Sequence, residues 1–191
     1  MKNNKWSIIV GIILLVVLCL WNADRSSGTP PEVVLDGLSV TVGKTTESEL
    51  HKQGFTVDYR GAFLITMEGQ TWTSSIWLEK EDLIYASVAI ANTSRQEKRV
   101  GECTVEELHF YTLDQEKKGA LKVSINGVEP IGMTTEELKE AYPDLKLGEE
   151  TQGLQYARLN DGDYSVSFKY EDGVMTTIDV THSFGKSYSQ K

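Results

Sequence analysis

The C-terminal part of the chain alternates between apolar and polar positions. Tyr164, Val166, Phe168 and Tyr170 are separated by Ser165, Ser167 and Lys169, and Val174, Thr176, Ile178 and Val180 by Met175, Thr177 and Asp179. Period-two alternation on both sides of Glu171-Asp172-Gly173 predicts an antiparallel hairpin with one dry face. Residues 154–159 precede it as a third strand, joined through the turn Asn160-Asp161-Gly162-Asp163. Strand candidates in the N-terminal half are residues 62–67, 71–79 and 83–91. Residues 104–112 open like a helix, with Thr104 and Glu107, but continue His109-Phe110-Tyr111-Thr112, whose aromatic and β-branched content favours a strand with a bulge.

Two segments follow another pattern. Leu35-Asp36-Gly37-Leu38 through Thr46-Glu47-Ser48-Glu49-Leu50 is echoed by Ile125-Asn126-Gly127-Val128 through Thr134-Thr135-Glu136-Glu137-Leu138. Each copy reads as a tight turn, a short strand, a glycine and a Thr-x-x-Glu capping box that opens a helix. Gly54 is placed to end the first helix and Pro143 the second.

The amino terminus differs from everything after it. From Trp6 to Trp21 runs a 16-residue stretch without charge. As a helix it measures roughly 24 Å against a hydrocarbon core of ~30 Å. Trp6 and Trp21 bracket it as interfacial aromatics, with Ile8 and Leu14 inside, and this predicts an uncleaved transmembrane anchor. A cleaved signal would put bulky Trp21 three residues before a cut after Ala23, and lipoprotein processing at Cys19 would follow Leu18. Secretion and lipoprotein anchoring remain the alternatives. Lys2 and Lys5 before the run place the N-terminus in the cytoplasm and the C-terminal domain outside a bacterial cell membrane.

The expected fold class is therefore α+β: an N-terminal transmembrane helix, then two tandem lobes, each with a short capped helix packed on an antiparallel sheet. The expected organisation is 1–23 cytoplasmic tip and membrane anchor, 24–32 tether, 33–115 first lobe, and 116–191 second lobe with a short C-terminal tail.

Charge narrows the partners. The chain has 28 acidic and 19 basic residues, a net of −9. Because residues 1–23 contain two lysines and no acid, the rest carries −11. Such a body approaches nucleic-acid phosphates against the field, so no nucleic-acid partner is expected. Cys103 is alone outside the apolar run and reads as a small buried residue.

Gly132-Met133-Thr134-Thr135-Glu136-Glu137-Leu138, followed by Tyr142-Pro143, is similar to the Gly-Met-Thr helix start and later Gly-x-Pro of the small outer-membrane assembly lipoproteins of the SmpA/OmlA type. Tyr142 stands where those lipoproteins carry Gly. The strand-Gly-x-Thr-x-x-Glu-Leu unit, found twice, resembles the tandem-repeat architecture of the β-lactamase inhibitor protein. The resemblance covers about 20 residues in each copy. It implies protein binding through a sheet face or loops and carries over no catalytic residues.

Motifs of chemistry are sparse. Gly43-Lys44-Thr45 lacks the earlier glycine of a phosphate-binding loop, since position 38 is Leu. His51, His109 and His182 have no second His or Cys at ligand spacing, so no metal site is expected. Asn160-Asp161-Gly162-Asp163 reads as a turn, not a calcium loop. Glu136, Glu137 and Glu140 fall where they complement a helix dipole. No catalytic residue and no cofactor is expected. The remaining signal is a possible binding surface at Trp72, Trp77 and Lys169. The two tryptophans are five positions apart, so a regular pleat points them to opposite faces.

The expected function is a membrane-anchored binding module outside the cytoplasm, partnered by the membrane through its helix and by another envelope protein or a cell-wall component. The alternatives are an envelope hydrolase using scattered carboxylates and histidine, or a sensor or assembly-support domain. A histidine beside two carboxylates in a cleft would favour the enzyme. An aromatic sheet face without converging titratable groups would favour binding.

Overall fold

The computed structural model describes residues 28–59, 64–80, 83–112, 122–183 and 189–190. The architecture is mostly β. A small sheet has the order β2 (Leu38–Val40), β1 (Val33–Leu35), β9 (Val123–Ile125). The large sheet has nine strands. Its path is β10 (Lys146–Leu147), β11 (Leu154–Asp161), β12 (Tyr164–Glu171), β13 (Val174–His182), β8 (Thr104–Tyr111), β6 (Leu83–Asn92), β5 (Thr71–Lys80) and β14 (Ser189–Gln190). Beside β5 lies β3 (Thr56–Asp58), and a separate pair joins β4 (Thr66–Met67) to β7 (Lys98–Arg99). All pairings are antiparallel except β14 with β5.

The α+β expectation is thereby corrected. The helices among the described residues are α1 (Glu47–Lys52) and α2 (Thr135–Ala141), of six and seven residues. Both open as predicted: Thr46 and Thr134 each accept the amide three residues on, and Glu49 and Glu137 reach back to the cap amide. Gly54 at φ +87° and Pro143 stop them early, while the aromatic and β-branched runs extend into strands of eight to ten residues.

The single-pass placement, with cytoplasmic N-terminus and extracellular C-terminal domain, is corrected on related ground. A membrane span needs about 20 apolar helical residues. No helix among the described residues is long and apolar enough to cross a membrane. The anchor residues Trp6, Ile8, Leu14 and Trp21 lie outside the described residues.

The two turn-strand-helix segments meet across β1 and β9. Asp36-Gly37 and Asn126-Gly127 form matching turns with positive φ at both residues, which Asp, Asn and Gly tolerate best. Val33 pairs Ile125, Val34 pairs Ser124 and Leu35 pairs Val123, so equivalent positions exchange places about a local twofold. The flanking bonds obey the same symmetry: the Asp36 amide donates to the Lys122 carbonyl and the Asn126 amide to the Glu32 carbonyl.

The large sheet runs unbroken from one half of the sequence to the other, because β8 pairs β13 over residues 107–111 and 177–181. One face is dry. Leu108, Phe110, Phe168, Ile178 and Val180 are fully buried there with Leu50 and Phe55 from the α1 segment and Leu138 from α2. Tyr142 packs on Phe168 at 5.9 Å between centroids, and its hydroxyl donates to the Ile125 carbonyl at 2.7 Å.

Four irregularities redirect side chains, the first being Tyr85, extra in β6 where Ala86 and Ile84 pair with Leu78 and Glu79. Between Thr73 and Ile76, β5 holds one residue more than β6. Glu106 is extra in β8 where Val105 and Glu107 pair with Ile90 and Ala89. Thr176 is extra in β13 between Met175 and Thr177, so Met175 faces the core while Val174 is 54% exposed. Each bulge adds one position and reverses the side on which the strand's alternation falls.

Candidate site on the open face of the sheet

The face opposite the core carries the chemistry. Beside Leu108 and Phe110, which point inward, Glu107, His109 and Tyr111 point outward from β8. Their cross-strand neighbours are fixed by register. One row reads Trp77, Ser87, His109, Asp179, Ser167 and Arg158 across six strands. The next row brings Tyr111, Thr177, Lys169 and Tyr156 together.

At the centre, His109 Nδ1 and Asp179 Oδ1 share a short hydrogen bond. One donor atom each from Glu107, His109 and Asp179 lies within 4.8 Å of the others, and all three residues are half-buried. The bond to Asp179 raises the affinity of His109 for its proton above the ordinary imidazole value, against the opposing effect of burial. Burial foremost, and then the nearby charge of Asp179, push the Glu107 carboxyl above the usual carboxylate range.

Aromatic side chains rim this centre. The Tyr111 ring meets the His109 ring edge-on at 4.4 Å and lies 6.2 Å from the Trp77 ring. Trp72, Ser87, Ala89, Glu107, His109 and Tyr111 line a depression of about 220 Å³. Tyr111 is 44% exposed and Tyr156 40%, the latter carrying the Arg158 guanidinium 5.6 Å above its ring.

Trp72, Trp77 and Lys169 all belong to this one face. The opposite-face expectation for the two tryptophans fails because the bulge between Thr73 and Ile76 adds a residue, so Trp72 pairs Ala91 and Trp77 pairs Ser87, four positions apart on β6. Lys169 is tied to Glu171 at 2.5 Å, the bond that foremost holds its ammonium above the ordinary lysine value. Sequence reading passed over Glu107, His109 and Asp179. Glu107 and His109 are at the i, i+2 spacing of one strand face, which was legible, but Asp179 is 70 residues from His109.

The other histidines sit elsewhere. His51 Nε2 bonds Glu47 at 2.7 Å within α1. His182 Nδ1 bonds Glu106 at 2.5 Å and stacks on Tyr164 at 4.7 Å. Glu106 is 1% exposed and also accepts a short bond from the Thr104 hydroxyl. A larger cavity, about 480 Å³, lies between Pro30-Pro31 and Tyr142, Leu159 and Tyr164. Asp161 on its rim accepts the Thr29 amide at 3.0 Å, so that carboxylate serves the incoming chain.

Compared with known proteins, the chain matches no family model, no curated protein and no solved structure.

Proposed function

We propose that the chain is a binding module without catalysis and that its open sheet face receives a basic side chain from a partner protein. The observation that carries this reading is the depression of about 220 Å³, lined by Trp72, Tyr111 and Glu107 with Asp179 beside Glu107. Its size suits one long side chain. Aromatic faces attract a lysine ammonium or arginine guanidinium by about 0.5–2 kcal/mol, and the two carboxylates supply the opposite charge. The −11 carried beyond residue 23 steers a basic partner toward the domain. The resemblance to the β-lactamase inhibitor protein implies the same class of function.

The test uses tryptophan fluorescence, since Trp72 and Trp77 are two of the chain's four tryptophans. Oligoarginine added to the full chain in a chelator at low ionic strength should produce a saturable emission change that oligoglutamate does not. Glu107→Gln with Asp179→Asn should weaken it about tenfold, and salt should weaken it progressively. An unsaturable response, or equal affinity in the double variant, overturns the reading.

Two observations favour a hydrolase instead: His109 stands beside the carboxylates of Glu107 and Asp179 at the depression, and Ser87, His109 and Asp179 occupy consecutive positions of a single row. Against it, no hydrogen bond joins Ser87 to His109 among the described residues. The amides of β8 also serve the ladders to β6 and β13, which leaves no paired donors for an oxyanion. Labelling by a fluorophosphonate that is lost in Ser87→Ala would establish the hydrolase and remove the binding-only reading.

A further inference from the structure

We propose that Glu107, His109 and Asp179 form a binding site for a divalent transition-metal ion of the zinc class. The three donor atoms come from two adjacent interior strands and lie within 4.8 Å of one another. Around a tetrahedral zinc with bonds of about 2.1 Å, ligand atoms sit roughly 3.4 Å apart. Reaching that spacing takes small side-chain rotations that part the short His109–Asp179 contact and bring Glu107 in, with both backbones already held by ladders on each side.

Donor chemistry agrees with the ion. One imidazole and two carboxylates give a charge of −2 against a dication, in a mixed nitrogen and oxygen set that suits zinc, cobalt or manganese more than calcium. His109 presents Nδ1 to Asp179, and metal binding would replace the proton that those two atoms share. Glu107 completes the donor set. Its half-buried carboxylate receives no hydrogen bond and makes no ion pair with another side chain among the described residues, and it stands beside a second carboxylate. The fourth coordination position faces the depression bounded by Trp72 and Tyr111 and is open to water, and a bound dication competes with the basic side chain for the same two carboxylates.

The other histidines offer no such set. His51 with Glu47, and His182 with Glu106, are two-donor pairs, and no further group of three His, Cys, Asp or Glu donors occurs among the described residues. The inference goes beyond the proposed occupant of the aromatic rim, because it needs the three donors and nothing else.

The experiment titrates the full, untagged chain with Zn²⁺ by calorimetry and with Co²⁺ by visible absorption. One equivalent should bind, with the intense visible bands of low-coordinate cobalt, and Zn²⁺ should raise the melting temperature. Glu107→Gln, Asp179→Asn and His109→Ala should each weaken binding about 100-fold or more, beyond the roughly 10–100-fold typical of outer-shell losses. His51→Ala should bind as the unaltered chain does. The first two substitutions preserve side-chain shape, so folded far-ultraviolet spectra accompany the loss. Absence of stoichiometric binding, binding that survives His109→Ala, or equal loss in His51→Ala each overturns the proposal. The oligoarginine assay is run in chelator, so failure here leaves its outcome independent.

Discussion

Replacing His182 by Ala removes a partner from a buried carboxylate and so tests how the two halves are joined. Glu106 belongs to β8, His182 to the end of β13, and the bulge that displaces Glu106 is what brings its carboxylate to the histidine at 2.5 Å. With Glu106 at 1% exposure, water cannot replace the lost donor without local opening, and the Thr104 hydroxyl is the remaining partner. An unsatisfied buried acceptor costs about 1–3 kcal/mol, and loss of the ring stacked on Tyr164 adds about 1 kcal/mol. The expected destabilisation is therefore about 3 kcal/mol, or a fall of about 6–12 °C in melting temperature for a chain of this size. Urea denaturation followed by circular dichroism measures it. Glu106→Leu removes the acceptor while filling its space, so in that background His182→Ala should cost at least about 1 kcal/mol less. A cost of His182→Ala below about 0.5 kcal/mol, or one unchanged in the Glu106→Leu background, refutes the reasoning.

Three further outcomes are expected. Gly43 has φ +77° and a Cβ there would lie 2.8 Å from His182 Nδ1, so Gly43→Ala should cost about 1–2 kcal/mol from backbone strain alone; thermal melts should show part of any excess relieved in the double variant with His182→Ala. Thr46→Ala and Thr134→Ala should each lower stability by about 1 kcal/mol in urea titrations, as loss of a cap does. Their bonds to the cap threonines hold the Glu49 and Glu137 carboxyls below the ordinary value of 4.5, so this contribution is present above pH 4.5 and is lost as pH falls through the lower folded-state value. The stability slope in that acid range should shrink in Glu49→Gln with Glu137→Gln, and an unchanged slope counts against the caps. Burial pushes the Cys103 thiol up to about 11, so in a Cys19→Ser chain a disulfide reagent at pH 8 should react slowly with the native protein and rapidly in urea; fast native reaction of that variant contradicts the burial.

What could be read from the chain follows local physics. The β12–β13 hairpin was legible because its alternation and turn residues lie within a short stretch, and both capping boxes because a cap is made three residues from its partner. The bulges were not. An extra residue near Thr73, Glu106 or Thr176 changes no composition, yet it decides that Trp72 and Trp77 share a face and that Glu106 is buried. The centre of the candidate site was hidden for another reason. His109 looks solitary in sequence, and its partner Asp179 arrives through the β8–β13 pairing, which no local pattern encodes.

That pairing also sets a timetable. β8 is complete at Tyr111, but β13 begins at Val174, roughly 60 residues later. At about 5–20 residues per second, a ribosome needs about 3–12 s to supply the missing neighbour. Throughout that interval β8 presents an unpaired, aromatic edge, and β1 likewise waits for β9. The nascent first half thus exposes strand edges that the finished protein covers.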